Sequence, residues 1–388
     1  MSNENSNNPQ EEEPQLFSVK KSDNGGWSFS RREFIKGAGA TATALSMGGI
    51  IGGVAKAQDA EETPDPTPII PEGAQAHTDY VTSVAISPDG TLLASSSADN
   101  TIKLWSLPDG ALLKTLEGHT NVVISVAINP DGVLLASASS DNTIKLWSLP
   151  DGALIKTLEG HIGSVNSVAI SPDGTFLASG SADNTIKLWS LPDGALINTL
   201  DGHSNWVTSV TISPDGMLLV SSSDDSTIKL WSLPDGALIN TLEGHIANVM
   251  SIAISTDGVL LVSSSVDETI KLWSLPDGAL INTFGEHKDI VFSVAISPDG
   301  TLLASGHLDT TIKLWSLPDN DLLNTLEGHT NLVSEVTISP DGMLLVSSSA
   351  DNTIKLWSLP DGNYIKDLID IAASKPEFEG LQYSPNDE

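Results

Sequence analysis

Ser95-Ser96-Ser97-Ala98-Asp99-Asn100-Thr101-Ile102-Lys103-Leu104-Trp105-Ser106-Leu107-Pro108-Asp109-Gly110 decides the fold, because this stretch returns with few changes every 42 residues. It reads as a strand, then a turn at Asp99-Asn100 where both residues tolerate left-handed backbone, then a second strand ending in Trp, then a Pro-Asp-Gly turn. Working outward, His77, His119, His161, His203, His245, His287 and His329 keep the same step. Seven near-copies therefore fill residues 77–370. A fixed period of about 40 to 45 residues marks a supersecondary unit that cannot bury its own faces and must stack on neighbours.

Within the first copy, Val81 to Ser87 is a β-rich run closed by Ser87-Pro88-Asp89-Gly90, and Leu92 to Ser97 is the strand after it. Thr101 to Leu107 forms the third strand and Ala111 to Leu116 the fourth. Four short strands joined by tight turns make an antiparallel meander. Runs such as Leu92-Leu93-Ala94 lack polar alternation, so both sheet faces are predicted to be buried. Sheets stacked as blades around an axis satisfy that demand, and seven of them close a ring at about 51° per step. The expectation is an all-β, seven-bladed β-propeller with one four-stranded antiparallel sheet per blade. The last unit carries its own fourth strand, Asn363 to Asp370, so the ring is expected to close by packing of blade seven on blade one. Ile69-Ile70 is the competing candidate for that edge.

The Gly-His opening, the tight-turn Asp and the strand-ending Trp at these offsets resemble the WD-repeat propeller family across all seven units. The Asp of the family's name is replaced, since each Trp is followed by Ser, as in Trp105-Ser106. Gly before His also gives way to Ala76 in unit one and Glu286 in unit six. The resemblance implies one buried hydrogen-bond chain per blade, through His77, Ser95, Asp99 and Trp105 in blade one and His161, Ser179, Asp183 and Trp189 in blade three. Physical sense supports it, because an indole N–H and a carboxylate held between sheets must each find a partner.

Composition adds an address. The only two arginines in the chain are adjacent, Arg31 and Arg32, followed by Glu33-Phe34-Ile35-Lys36. Gly37 to Val54 is weakly apolar and uncharged, and Ala55-Lys56-Ala57 is a small-x-small pattern ahead of Gln58. Residues 1–57 thus resemble a disordered start and a twin-arginine export signal, with Arg31, Arg32, Ala55 and Ala57 as its marks. A transmembrane anchor is disfavoured, because a run of about 18 residues rich in Gly, Ala and Thr barely spans a bilayer. The expected location is periplasmic or extracellular in a prokaryote, with no stable membrane insertion after cleavage. Residues 58–76 are an acidic, Pro-rich linker and residues 371–388 a tail.

The net charge is −32, and removing residues 1–57 leaves it at −32 because that segment carries as many bases as acids. A field of that sign repels phosphate backbones, which excludes nucleic acid as a partner. Cysteine is absent, so no disulfide, thiolate metal site or cysteine nucleophile exists. One His per unit, spread around a circumference, cannot share a metal ion, and nothing calls for a cofactor. The Ser, His and Asp of each unit recur seven times as a brace and do not describe a nucleophile with an oxyanion pocket.

Function belongs where the copies differ. The most variable columns lie three and five residues after His and one before the turn Asp; in WD-repeat relatives they cluster around one mouth of the channel and grip peptides. The partner-binding candidates are Tyr80, Trp206, Ile290 and Leu332 from the first column, Ile124, Met250 and Phe292 from the second, and Val266 and Leu308 from the third. Aromatic and aliphatic anchors suit an interface. The expected function is an exported platform for an unidentified protein or peptide, with no catalysis of its own. An alternative is a propeller enzyme, for which Asp79, Asp224, Asp289, His307 and Glu335 break pattern. Another is a self-associating envelope protein.

Overall fold

The computed structural model describes residues 75–284 and 289–369, together with the backbone of two short strands, β1 (Val19–Lys21) and β2 (Trp27–Phe29), which pair antiparallel with each other. The expected signal marks Arg31, Arg32, Ala55 and Ala57, most of the linker and the tail lie outside the described residues. Blade one is β3 (Val81–Ile86), β4 (Leu92–Ser97), β5 (Ile102–Ser106) and β6 (Leu112–Leu116), paired antiparallel in chain order. Six more sheets repeat this order, ending with β27 (Val333–Ile338), β28 (Leu344–Ser349), β29 (Ile354–Ser358) and β30 (Tyr364–Leu368). The result is a seven-bladed β-propeller in which every blade is built from consecutive strands.

Burial explains why the sheets stack. Strand β4 is buried along its whole length, whereas β6 is largely exposed, so each blade runs from a hidden interior to a wet outer edge. The apolar clusters lie between blades. Leu92, Ala94, Ile102 and Leu104 of blade one pack with Val123, Leu135 and Trp147 of blade two. Val81, Leu93 and Trp105 pack in the same way with Val346, Ile354 and Leu356 of blade seven. Each buried Leu, Ile or Val is worth about 1.5 to 3 kcal/mol, so a blade removed from its neighbours forfeits most of its stabilisation.

Side chains tie neighbouring blades together in three concentric belts, the innermost of which is apolar at Ile124, Met250 and Phe292. Near the axis, Thr82 Oγ1 donates to the Val123 carbonyl (2.5 Å), Asn166 Nδ2 to Val207 (2.9 Å) and Thr208 Oγ1 to Val249 (2.6 Å). Beside it, Ser83 Oγ accepts from the Val126 N–H (3.2 Å) and Ser167 Oγ from Val210 (3.1 Å). These bonds meet backbone groups on the open edge of each innermost strand, which has no strand partner on the channel side. At the periphery, Lys114 and Lys156 donate to the carbonyls of Asp151 and Asp193, and Asn324 donates to that of Asp361 (2.9 Å).

All three belts are completed between blades seven and one. Ser334 Oγ donates to the Val81 carbonyl (2.5 Å), Glu335 Oε2 accepts from the Val84 N–H (2.9 Å) and Lys366 Nζ donates to the Asp109 carbonyl (2.9 Å). Ala76 N–H adds a bond to the Asn352 carbonyl (3.1 Å). A Cβ on Gly110 would stand 2.6 Å from a methyl of Leu368 and its φ of 70° lies in the left-handed region, so glycine suits that turn. Among the described residues the ring thus closes by packing, each sheet using its own consecutive strands, and Ile69-Ile70 lies outside them. Glu335, one of the residues that break pattern, clasps this joint where other blades use Ser.

Inside each blade a second network joins the turns to the core. Trp105 Nε1–H donates to Ser95 Oγ (2.8 Å), Ser95 Oγ lies 2.8 Å from His77 Nε2, and His77 Nδ1 lies 2.9 Å from Asp99 Oδ2. An ionised carboxylate only accepts, so the His proton sits on Nδ1, Nε2 accepts the Ser hydroxyl proton, and the chain of donors is fixed. His161, Ser179, Asp183 and Trp189 repeat it at 2.8 to 2.9 Å. Asp183 also accepts from the Thr185 N–H and the Ile162 N–H. Burial alone would push these carboxyls up, but the bonds from His and Thr outweigh it and hold Asp99, Asp141, Asp183, Asp225, Asp267 and Asp351 below the usual carboxylate range.

Blade six departs from this scheme. Trp315 donates to Ser305 (2.9 Å) as elsewhere, but His307 Nε2 lies 2.8 Å from Ser305 Oγ and His307 is fully buried. Blade six's own opening His287 lies outside the described residues. His307 replaces a serine that in other blades, as at Ser97, donates to the loop carbonyl of Asp79 (3.0 Å). His307, one of the pattern-breaking residues of the enzyme alternative, belongs to the blade interior.

Three outcomes follow from this architecture. Asp183→Ala leaves His161 and two backbone N–H groups without their acceptor and costs about 1 to 3 kcal/mol in urea unfolding. Ser334→Ala at the ring's joint costs about 0.5 to 1.5 kcal/mol, the same as Thr208→Val at an internal joint, read in the same assay. Because the brace carboxyls titrate lower when folded than in the unfolded chain, near 3.9, their stabilisation is complete above that value and is lost as pH falls through the folded value. The thermal midpoint is therefore level above about pH 5 and drops steadily below about pH 4.

Candidate functional site

Two of the three variable columns are neighbours. In every blade the residue before the turn Asp donates its N–H to the carbonyl of the residue three after His: Ala98 to Tyr80 (2.9 Å), Asp224 to Trp206 (2.9 Å), Val266 to Asn248 (2.9 Å) and Leu308 to Ile290 (3.0 Å). The side chain of the preceding residue caps the loop locally. Asn205 Oδ1 accepts from the Trp206 N–H and Asp79 Oδ1 from the Tyr80 N–H, both at 2.9 Å. These positions lie at the end of the ring where innermost strands begin and second strands finish. Tyr80, Trp206, Val266 and Leu308 are half-buried there and form the accessible part of the rim.

The remaining candidates are placed differently. Ile124, Met250 and Phe292 are 2%, 5% and 7% exposed, in the column whose polar members Thr82, Thr208 and Ser334 bond the next blade's carbonyl. That column belongs to the joints between blades, because an innermost strand's edge must be covered before anything can dock over it. Ile290 and Leu332 are buried as well. The sequence reading treated all five as exposed anchors, and their burial removes that role.

Sequence reasoning missed two side chains. Ile162 and Ile246 are 89% and 88% exposed, each one residue after its His. The signal was present, since blades one, two, four and seven carry Thr78, Thr120, Ser204 and Thr330 at that position. It also missed paired aliphatics on the outermost strands, such as Leu154 and Ile155, which are about half exposed. Each outermost strand carries a β-bulge against its neighbour, as at Leu112 to Lys114, and a bulge twists an edge away from pairing with another chain.

The rim is electronegative. Burial pushes the Asp289 carboxyl up, and the nearby Asp309 and Glu268 push it further while Lys313 opposes them. Burial, then Asp79, raises the Tyr80 phenol. The pattern-breaking residues do not assemble into a catalytic set. Glu335 clasps the ring's joint, His307 lies inside blade six, and Asp79 and Asp289 cap their own loops. Among the described residues no group of three or more His, Asp or Glu side chains is arranged to hold a metal ion.

The family described as WD domain, G-beta repeat matches the chain at residues 73–106, 110–148, 152–190, 194–232, 236–274, 278–316 and 320–358. A stretch of 41 residues is 51% identical to the small ribosomal subunit protein RACK1z of Arabidopsis thaliana, covering 11% of this chain and 12% of that protein. The small ribosomal subunit protein RACK1 of Brassica napus matches equally, at 51% over 41 residues. The similarity to both plant proteins thus spans about one repeat.

Burial separates joint from rim in an experiment. Phe292→Ala is expected to lower stability by about 3 kcal/mol in urea unfolding, whereas Trp206→Ala costs less than about 1 kcal/mol.

Proposed function

The chain belongs to the WD40-repeat family, and from that premise we propose that it is an exported platform that binds a protein or peptide and performs no chemistry of its own. One observation carries the reading: the brace positions recur from blade to blade, while two of the three variable columns, three after His and one before the turn Asp, sit side by side on one rim. A rigid ring presenting variable side chains binds through a few anchors, since most of an interface's affinity resides in a minority of its residues. Tyr80, Trp206, Val266 and Leu308 are those anchors.

Export rests on the paired arginines Arg31 and Arg32 and on Ala55 and Ala57, which place the working protein in the periplasm or outside the cell. Passage in the folded state suits a ring whose first and last blades must meet, because such long-range pairing forms slowly and is prone to aggregate in transit. The ribosomal setting in the names of the plant relatives is not carried over. The match is one repeat long, and a charge of −32 opposes contact with RNA.

Crosslinking in the native envelope tests the platform. Tyr80→Ala with Trp206→Ala should lose the captured protein while the thermal midpoint stays within about 2 °C, and unchanged capture would remove the rim from the account. Separately, Arg31→Lys with Arg32→Lys should leave the protein in the cytoplasm, and unaltered export would exclude the twin-arginine route.

A further inference from the structure

The apolar patch at the rim end of blades three to five has a fringe of one sign of charge. Ile162 in blade three and Ile246 in blade five flank Trp206 in blade four, and the two isoleucines are almost fully exposed. Nothing in the fold requires these side chains. The backbone N–H of Ile162 and of Ile246 bonds to Asp183 (3.1 Å) and Asp267 (3.0 Å), a contact that Thr120 and Ser204 make equally well in other blades. Large aliphatic groups left in water on the loops of the blades to either side of an aromatic one mark a contact surface.

Carboxylates surround the patch, some in a column that is acidic around most of the ring and two, Asp224 and Glu268, at positions that are uncharged in other blades. Glu268 is exposed and occupies the left-handed turn position (φ 64°) that Asn100, Asn142 and Asn184 fill elsewhere, although a glutamate gains nothing there. Asp224 stands where other blades carry Ala, Ser, Val or Leu. Glu159, Asp201 and Glu243 are exposed in the loops that lead into the same end. The only cations of these three blades, Lys187, Lys229 and Lys271, lie along the third strands with Nζ bonded to the hydroxyls of Thr199, Thr241 and Thr283 at 2.9 to 3.2 Å.

We propose that this patch docks a peptide segment carrying both lysine or arginine and apolar side chains, with Ile162, Trp206 and Ile246 as the apolar seat and Asp224, Glu243 and Glu268 as its cation fringe. The inference rests on the platform reading above and names the partner's chemistry. Nucleic acid and anionic lipid are repelled by this face, and a second copy brings the same charge to it. A cation held over the indole of Trp206 gains from the ring's electron-rich face as well as from the carboxylates.

The test uses the full chain and three decapeptides in which leucine alternates with lysine, glutamine or glutamate, titrated by calorimetry at low and at physiological salt. The lysine peptide should bind at least about tenfold more tightly than the glutamine peptide, with the preference shrinking as salt rises, and the glutamate peptide should not bind. Ile162→Ser with Trp206→Ala and Ile246→Ser, or Asp224→Asn with Glu243→Gln and Glu268→Gln, should each weaken the lysine peptide about tenfold. Asp109→Asn with Asp193→Asn and Asp235→Asn changes net charge equally at the opposite end and should leave affinity within about twofold.

Equal loss in that control set, or equal binding of the glutamine peptide, overturns the proposal. Zero-length crosslinking of the lysine peptide to the unaltered protein gives a readout free of folding effects: adducts belong on Glu243 and Glu268, and adducts concentrated on Asp109 or Asp193 overturn it as well. If native capture needs Trp206 but the peptides show no preference of sign, the platform reading stands and the cationic partner falls. If the peptides behave as stated while native capture ignores the rim, the platform reading is the one that fails.

Discussion

A four-stranded sheet whose inner strands are buried on both faces cannot hide its apolar surface alone, and that constraint organises the molecule. Leu92, Ala94 and Leu104 find cover only on Val123, Leu135 and Trp147 of the next blade, and Val81, Leu93 and Trp105 only on the last one. The core is therefore a property of joints. Because the innermost strands also leave an open edge, hydroxyls and amides such as those of Thr82 and Asn166 reach across to the next blade's carbonyls. The same constraint explains why the ring's one joint not crossed by the chain carries all three belts, with Glu335 in place of serine.

Scaffold and recognition are divided by column. Trp105, Ser95, His77 and Asp99 form a relay that satisfies an indole, a hydroxyl, an imidazole and a carboxylate in series, so none can change without orphaning the next. Blade six shows the tolerance of the scheme, since His307 takes a place beside Ser305 inside the sheet. Variation without such cost is confined to the rim and to the loop residue after each His. There Ile162, Trp206 and Ile246 could accumulate without disturbing a brace.

Blade number and strand order were legible in the sequence, because the 42-residue period, the Asp-Asn and Pro-Asp-Gly turns and the unit-by-unit fourth strand are local signals, whereas closure stayed open between that fourth strand and Ile69-Ile70. The column five after His was not legible. Its members Ile124, Met250 and Phe292 vary as surface residues do, yet they are buried because a neighbouring blade's edge lies over them, a fact set by long-range geometry. His307 broke the pattern visibly, but its place beside Ser305 inside the blade was not legible, since a histidine in a serine column carries no mark of the side it faces. Ile162 and Ile246 could have been found, because an isoleucine in a Thr/Ser column is visible by alignment of the repeats alone.

Whether stability resides in a closed set of equivalent joints is read most directly by native-state hydrogen exchange. In a ring no blade is terminal, so the slowest-exchanging amides of the second strands, including β4 of blade one and β28 of blade seven, should open with one common free energy. Blades one and seven exchanging first, with protection rising toward blade four, would describe an open solenoid fraying from its ends and would contradict the account.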